Sequence, residues 1–262
     1  MMGITLNTIL YPKYHLGTEQ SSVPAFINSI VVVIDVLRAS TTICAVLYNG
    51  AKEVIPFSTI EEAKNAISQY SNDSAILGGE RNGIRPEGFD LGNSPLEYSK
   101  GIVENKTVLL TTTNGTQALE KVKNAKMVLI GCFANISSIE TELTNIASDF
   151  YDVIFLCAGN EGKPTLEDTL CAGVLINKLV NRYDNCYLND DSKYALNTFL
   201  EKRGNLHEEC YNSEHGKRLI ELGFKDDIDL ALMYDIYPVL PFLRDGKIII
   251  PLNSPLQKVE KK

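Results

Sequence analysis

Asp35 closes the apolar run Ile30–Ile34, and Arg38 follows three residues later. A carboxylate at the end of a buried strand suits a hard cation such as Mg²⁺, or attack on a bound ester. A guanidinium offers a planar fork that matches phosphate or sulfonate oxygens. The plain alternatives are a helix cap for Asp35 and a salt bridge for Arg38. Asp35 and Arg38 are therefore the candidate catalytic pair.

Polar residues gather at four further places. Ser40, Thr41 and Thr42 follow Arg38 directly. The loop Gly78–Ser94 carries Glu80, Arg81, Asn82, Arg85, Asn93 and Ser94. Thr111–Thr116 supplies Thr113, Asn114, Gly115 and Thr116, Cys132–Ser137 supplies Asn135, and Gly159–Asp168 supplies Glu161, Glu167 and Asp168. Hydroxyls, amides and glycines at strand-to-helix turns present N–H and O–H donors to an anion. These residues are candidate substrate ligands. Asp35, Glu80, Glu161 and Asp168 are candidate metal ligands, while Glu167 and Asp168 equally suit a helix N-terminus.

Several known chemistries are excluded. Gly159–Lys163 has the look of a nucleotide loop, but its spacing fails and Pro164 stands where Ser or Thr is needed. The positions six after each cysteine hold Gly50, Ser138, Lys163, Asn177, Ser192 and Gly216, so no thiol-phosphatase loop is present. Leu37 replaces the second Asp of an Asp-x-Asp nucleophile motif. His15, His207 and His215 are dispersed and form no zinc cluster, and at least two of them are expected to be non-catalytic.

The elements that must position these groups alternate in type. Ser29–Asp35, Ala51–Pro56, Ala75–Leu77, Thr107–Thr112, Ala125–Ile130 and Asp152–Cys157 read as strands. Helical stretches lie between them at Ala39–Leu47, from Thr59, at Thr116–Val122, from Ile136 and at Leu166–Leu179. Asn49-Gly50 ends the first helix, and Thr59 with Glu62 has the spacing of a capping box. Alternation of this kind predicts a three-layer α/β fold with a largely parallel or mixed sheet. At an offset of 74, Thr42 falls on Thr116 and Ala51-Lys52 on Ala125-Lys126, which suggests an internal β-α-β duplication. Residues 1–180 form this core. Residues 181–262 are polar and helix-biased, with a late strand at Lys247–Pro251, and the boundary near 180 is soft enough for one domain. Ligands in such sheets lie beyond the carboxyl ends of the strands, where all five polar loops fall.

Composition narrows the partners. The 262 residues carry 25 Lys+Arg against 33 Asp+Glu, a formal net charge of −8, which argues against nucleic acid. No apolar run reaches the length of a membrane span, and the first residues lack the pattern of a signal peptide. Six scattered cysteines without a C-x-x-C pair fit a reducing, cytoplasmic setting. The oligomeric state is left open, a homo-oligomer included.

The polar stretches together resemble the 2-phosphosulfolactate phosphatase family. They are Ile34–Thr42, Gly79–Gly83 with Phe89–Pro95, Thr111–Thr116, Cys132–Asn135, and Cys157–Gly162 with Glu167-Asp168. A C-terminal series completes the resemblance: Ser213–Gly216, Leu222–Phe224, Asp229, Asp235 and Pro238. The resemblance implies a Mg²⁺-dependent phosphomonoesterase that converts (R)-2-phospho-3-sulfolactate to 3-sulfolactate, a step toward coenzyme M. It also implies an α/β architecture unlike other phosphatases. Attack by a metal-activated water and a covalent intermediate on Asp35 or Ser40 both fit the residues. A non-catalytic protein that binds a small phosphorylated anion is the second reading. A sugar-phosphate isomerase or kinase is a third, although no nucleotide signature accompanies it.

Overall fold

The computed structural model describes residues 4–11, 26–71, 73–146 and 152–251. The first half of the chain runs β1 (Ile4–Ile9), β2 (Ser29–Ile34), α1 (Ala39–Tyr48), β3 (Glu53–Phe57), α2 (Ile60–Ile67), β4 (Ala75–Gly79), the one-turn α3 (Lys100–Val103) and β5 (Thr107–Thr111). It continues with α4 (Gly115–Val122), β6 (Met127–Gly131), α5 (Ile136–Ile146), β7 (Asp152–Cys157) and α6 (Leu166–Val180). The C-terminal part adds β8 (Cys186–Leu188), α7 (Asp190–Lys202), α8 (Leu206–Asn212), α9 (Glu214–Glu221), α10 (Lys225–Ala231), β9 (Phe242–Arg244) and β10 (Lys247–Ile249).

Local chemistry sets these boundaries. All six residues of β2 are buried, as expected of a strand covered on both faces. Gly50 takes φ +93° just beyond α1, the left-handed conformation that stops the helix. Thr59 caps α2 with a complete capping box, in which its hydroxyl accepts from Glu62 N–H and Glu62 accepts from Thr59 N–H, both at 3.1 Å. This box is exposed, and neither residue lines the cleft described below. Thr59→Ala is expected to cost about 1 kcal/mol, read as a fall of about 2–4 °C in Tm, with kcat unchanged.

The ten strands form one mixed sheet in the order β4-β5-β3-β10-β9-β6-β2-β7-β1-β8. The α/β class read from the alternation holds. The units β2-α1-β3 and β5-α4-β6 exchange partners: β2 lies beside β6 and β3 beside β5, all parallel. That reciprocal pairing is a property of the sheet, and ancestry is not read from it. The antiparallel β9–β10 hairpin fills the gap between the two pairs, with β9 on β6 and β10 on β3.

The sheet curls strongly. Asp35 follows β2 and Gly115 opens α4 after β5, with four strands between β2 and β5. Even so, a Cβ on Gly115 would stand 2.8 Å from Asp35 Oδ2. The concave face packs Val31, Val33, Val54, Val108, Leu110 and Ile130 around α1 and α4. The convex face carries Ile30, Val32, Ile34 and Phe155 under α5 and α6. That same convex cluster takes in Phe199, Leu219 and Ile228, so the apolar core crosses residue 180 without a break.

Three strands escape the sequence reading. In β1 only Ile4, Leu6 and Thr8 face inward, and the buried Thr8 hydroxyl meets Ser192 Oγ at 2.8 Å. The polar Thr8 breaks the apolar alternation. β8 and β9 have three residues each, too few for any periodicity. His15 and the tail from residue 252 lie outside the described residues.

Candidate active site

The strand ends of β2, β4, β5 and β7 meet at one cleft, which α9 closes from above. Its floor is the turn after β2. Ala39 N–H donates to Asp35 Oδ1 (3.1 Å), and Asp35 N–H donates to Ser40 Oγ (3.0 Å). The peptide between Leu37 and Arg38 is cis. Asp35 Oδ2 accepts no hydrogen bond from the described residues and lies beside Gly115. Burial pushes the Asp35 carboxyl up to about 6; the Ala39 N–H and His215 pull it down, while Glu80 and Glu167 raise it further.

Glu80 enters from β4. Its oxygens accept from Gly83 N–H and Thr113 N–H, each at 2.7 Å, and from the Thr113 hydroxyl at 3.1 Å. Glu80 thereby ties the loop after β4 to the loop after β5. Gly79 makes that approach possible: its φ is +140°, and any Cβ there would strike Thr111 O at 1.9 Å. Asn114 and Asn160 link across the cleft, Nδ2 to Oδ1 at 3.1 Å.

Arg38 is 3% exposed and fully engaged. Nη1 donates to Asp227 Oδ2 (2.6 Å), Nη2 donates to Gly83 O (2.9 Å), and the guanidinium lies 3.9 Å over the Phe224 ring. The second oxygen of Asp227 accepts from Ser94 Oγ at 2.6 Å. Two further cationic side chains come from α9, His215 and Arg218. Arg218 pairs with Glu161 at the cleft mouth, which holds the Glu161 carboxyl below its usual range. Asn93 lines the cleft with a buried Oδ1 that has no hydrogen-bond partner among the described residues.

Of the residues singled out in the sequence, Asp35, Arg38, Glu80, Asn82, Asn93, Thr113, Asn114 and Glu161 line this cleft. The others do not line it. Arg81 turns away to Ser58 O and the Thr111 hydroxyl, and Arg85 to Asp90 O. Thr41 donates to Val36 O and Thr42 to Asn93 O. Ser40 Oγ is held between Asp35 N–H and Val33 O, behind the carboxylate. Gly115 and Thr116 border Asp35 from the concave core, and Thr116 Oγ1 donates to Thr112 O. Asn135 is fully buried and braces Cys132, Ile130 and Val239. Both oxygens of Asp168 accept backbone N–H, from Val36 and Gly159, so Asp168 sutures β2 to β7. Burial and neighbouring Glu167 push its carboxyl well up.

Two contributors, Arg218 and Asp227, carry no reading in the sequence, where Glu167 reads as a polar-loop or helix-start carboxylate and His215 as one of three dispersed histidines. The signals for His215 and Glu167 are the Ser213–Gly216 and Glu167-Asp168 stretches. Arg218 and Asp227 stand in an ordinary amphipathic background.

A curled α/β sheet whose edge gathers buried carboxylates and cations defines an enzyme for small, multiply charged anions. The model of the 2-phosphosulpholactate phosphatase family matches residues 17–246. A protein of Clostridium beijerinckii named "Probable 2-phosphosulfolactate phosphatase" is 42% identical over 221 residues, 84% of this chain and 91% of that protein. Proteins of the same name from Caldanaerobacter subterraneus (42%; 82% of this chain, 88% of theirs) and Thermotoga maritima (40%; 84% and 91%) are similar throughout. The chain belongs to the 2-phosphosulpholactate phosphatase family and is a phosphoric monoester hydrolase.

Proposed function

We propose that this cleft hydrolyses (R)-2-phospho-3-sulfolactate to 3-sulfolactate and phosphate with the help of Mg²⁺, as a cytoplasmic step of the coenzyme M type. One observation carries the reading. The buried carboxylates Asp35 and Glu80 line the same cleft as Arg38, His215 and Arg218. A three-carbon substrate with phosphate, carboxylate and sulfonate groups needs both kinds of group.

The donor set fits Mg²⁺. No group of three or more His, Cys, Asp or Glu suited to a metal occurs among the described residues. Mg²⁺ needs only one or two protein carboxylates, with water and substrate phosphate completing its shell. Asp35 Oδ2 is uncommitted, and Glu80 raises the Asp35 pKa by its charge, so a dication beside them relieves both. When bound, it would neutralise phosphate charge. Arg38, rigid between Asp227 and Gly83, fixes the position of an anionic group. Ser40 is set aside as nucleophile because its hydroxyl is held behind Asp35. A binding protein without turnover gains nothing from the unmet charge on Asp35, and this disfavours the second reading. All six cysteines are free thiols, which supports the cytoplasm.

Phosphate release with Mg²⁺ and with EDTA tests the proposal. The expected result is release from the 2-phospho acid that falls at least tenfold in EDTA and returns with Mg²⁺. kcat/KM for p-nitrophenyl phosphate should be lower, because that substrate leaves Arg218 with fewer anionic groups to bind. Full activity in EDTA would remove the metal, and equal kcat/KM would remove the selectivity.

A further inference from the structure

The cleft holds a buried acid–imidazole pair that charge neutralisation does not require. Glu167 is 1% exposed at the start of α6. Its Oε1 lies 2.6 Å from His215 Nδ1, and its Oε2 is buried without a hydrogen-bond partner among the described residues. A carboxylate so placed makes Nδ1 the donor and fixes the ring. That leaves Nε2, which bonds to none of the described residues, on a side chain that lines the cleft. The backbone that presents the ring is itself fixed. Ser213 Oγ accepts from Gly216 N–H at 2.9 Å, and a Cβ on Gly216 would meet Cys210 O at 1.8 Å, so α9 has one seating.

We propose that His215 is the general acid that protonates the leaving oxygen, and that Glu167 is its positioning residue. This rests on the hydrolase reading above and deepens it. The leaving group is the alkoxide of a 2-hydroxy acid, too basic to depart unprotonated. The ester P–O bond breaks with its electron pair on the substrate oxygen, which takes the Nε2 proton. Water adds its oxygen to phosphorus and releases one proton, and that proton restores His215 through solvent. Each turnover consumes one water and yields one alcohol and one phosphate.

Charged groups surround His215 from several elements. They are Glu167 and Asp168 from α6, Asp35 from the β2 turn, and the Glu161–Arg218 pair at the mouth. Burial alone lowers the pKa of His215, but the Glu167 hydrogen bond and charge, with Asp35 and Asp168, raise it above its ordinary value on balance.

The test compares His215→Gln and Glu167→Gln with the wild type on the 2-phospho acid and on p-nitrophenyl phosphate, whose leaving group needs no proton at neutral pH. His215→Gln is expected to lose about 10²-fold or more in kcat on the 2-phospho acid, within the usual range of general-acid effects, and under about fivefold on the aryl ester. The fall of the wild-type rate at high pH should vanish in His215→Gln. In Glu167→Gln it should move at least about one pH unit lower, because the lost carboxylate charge lowers the imidazole pKa. Tm confirms that both variants fold. Equal losses on the two esters, or an unmoved alkaline limb in folded Glu167→Gln, would overturn the proposal while leaving the hydrolase reading standing. Absence of phosphate release by the wild type would overturn both.

Discussion

Asp35→Asn is expected to lower kcat by about 10²–10³ and, in the metal-free protein above pH 7, to raise Tm. The two effects have one origin. Asp35 ends a strand buried on both faces, and burial pushes its pKa from 3.8 to about 6. A folded-state pKa above the unfolded value means that the group's contribution to stability is fully present below about pH 4. That contribution is lost as pH rises through about 6. By pH 8 the loss is on the order of 3 kcal/mol. Asparagine keeps an acceptor for Ala39 N–H and carries no charge to desolvate. The Tm difference between variant and wild type should therefore open between pH 4 and 7 and then level off. Mg²⁺ should raise the Tm of the wild type and leave that of the variant unmoved. Thermal melts across this range, read beside kcat, decide the matter. A variant with near-normal turnover, or one less stable than wild type at pH 8, would contradict it.

Asp227→Ala is expected to cost about 3–5 kcal/mol, a fall on the order of 10 °C in Tm, and at least tenfold in kcat/KM. Both members of the Arg38–Asp227 pair are 3% exposed, so truncation leaves a guanidinium in the interior without its counter-ion. Ser94 loses its acceptor at the same time. Arg38 would retain Gly83 O and the Phe224 ring, which hold it less rigidly than a carboxylate. Arg38→Lys keeps the charge and gives up the fork that reaches Asp227 and Gly83 together, so it should weaken substrate and transition-state binding with a smaller change in Tm. The double variant Arg38→Met/Asp227→Leu should recover much of the stability and none of the activity, because an apolar pair of similar volume avoids the desolvation cost. Calorimetry on the three proteins separates these outcomes. An unchanged Tm in Asp227→Ala would mean that the pair is not buried in solution.

Much of the fold was legible in the sequence, because long strands buried on both faces leave unbroken β-branched runs such as Ser29–Ile34 and Thr107–Thr111. Short strands left no such trace. The position of the site at the strand ends was legible for the same reason, and Asp35, Arg38 and Glu80 stand there. The hydroxyls were overread. Ser40, Thr41 and Thr42 belong to types that favour anion loops and turns alike, and here the backbone takes their hydrogen bonds. Arg81 and Arg85 were overread in the same way, since a loop's residue types do not tell which side chains turn inward. Arg218 and Asp227 were hidden because Arg218 reaches the cleft, and Asp227 reaches Arg38, from helices far along the chain, a proximity created only by the packing of α9 and α10 over the curled sheet.

The β9–β10 hairpin makes the middle of the described sheet its most C-terminal part. Every other described strand precedes residues 242–249 in the chain, yet these residues join β3 to β6. Without them β3 and β6 would each present an open edge, and the two halves would be held through the core around α1 and α4. Asp35 and Glu80 follow strands on opposite sides of the hairpin, so the spacing of the two carboxylates depends on the docking of a segment more than 150 residues further along the chain.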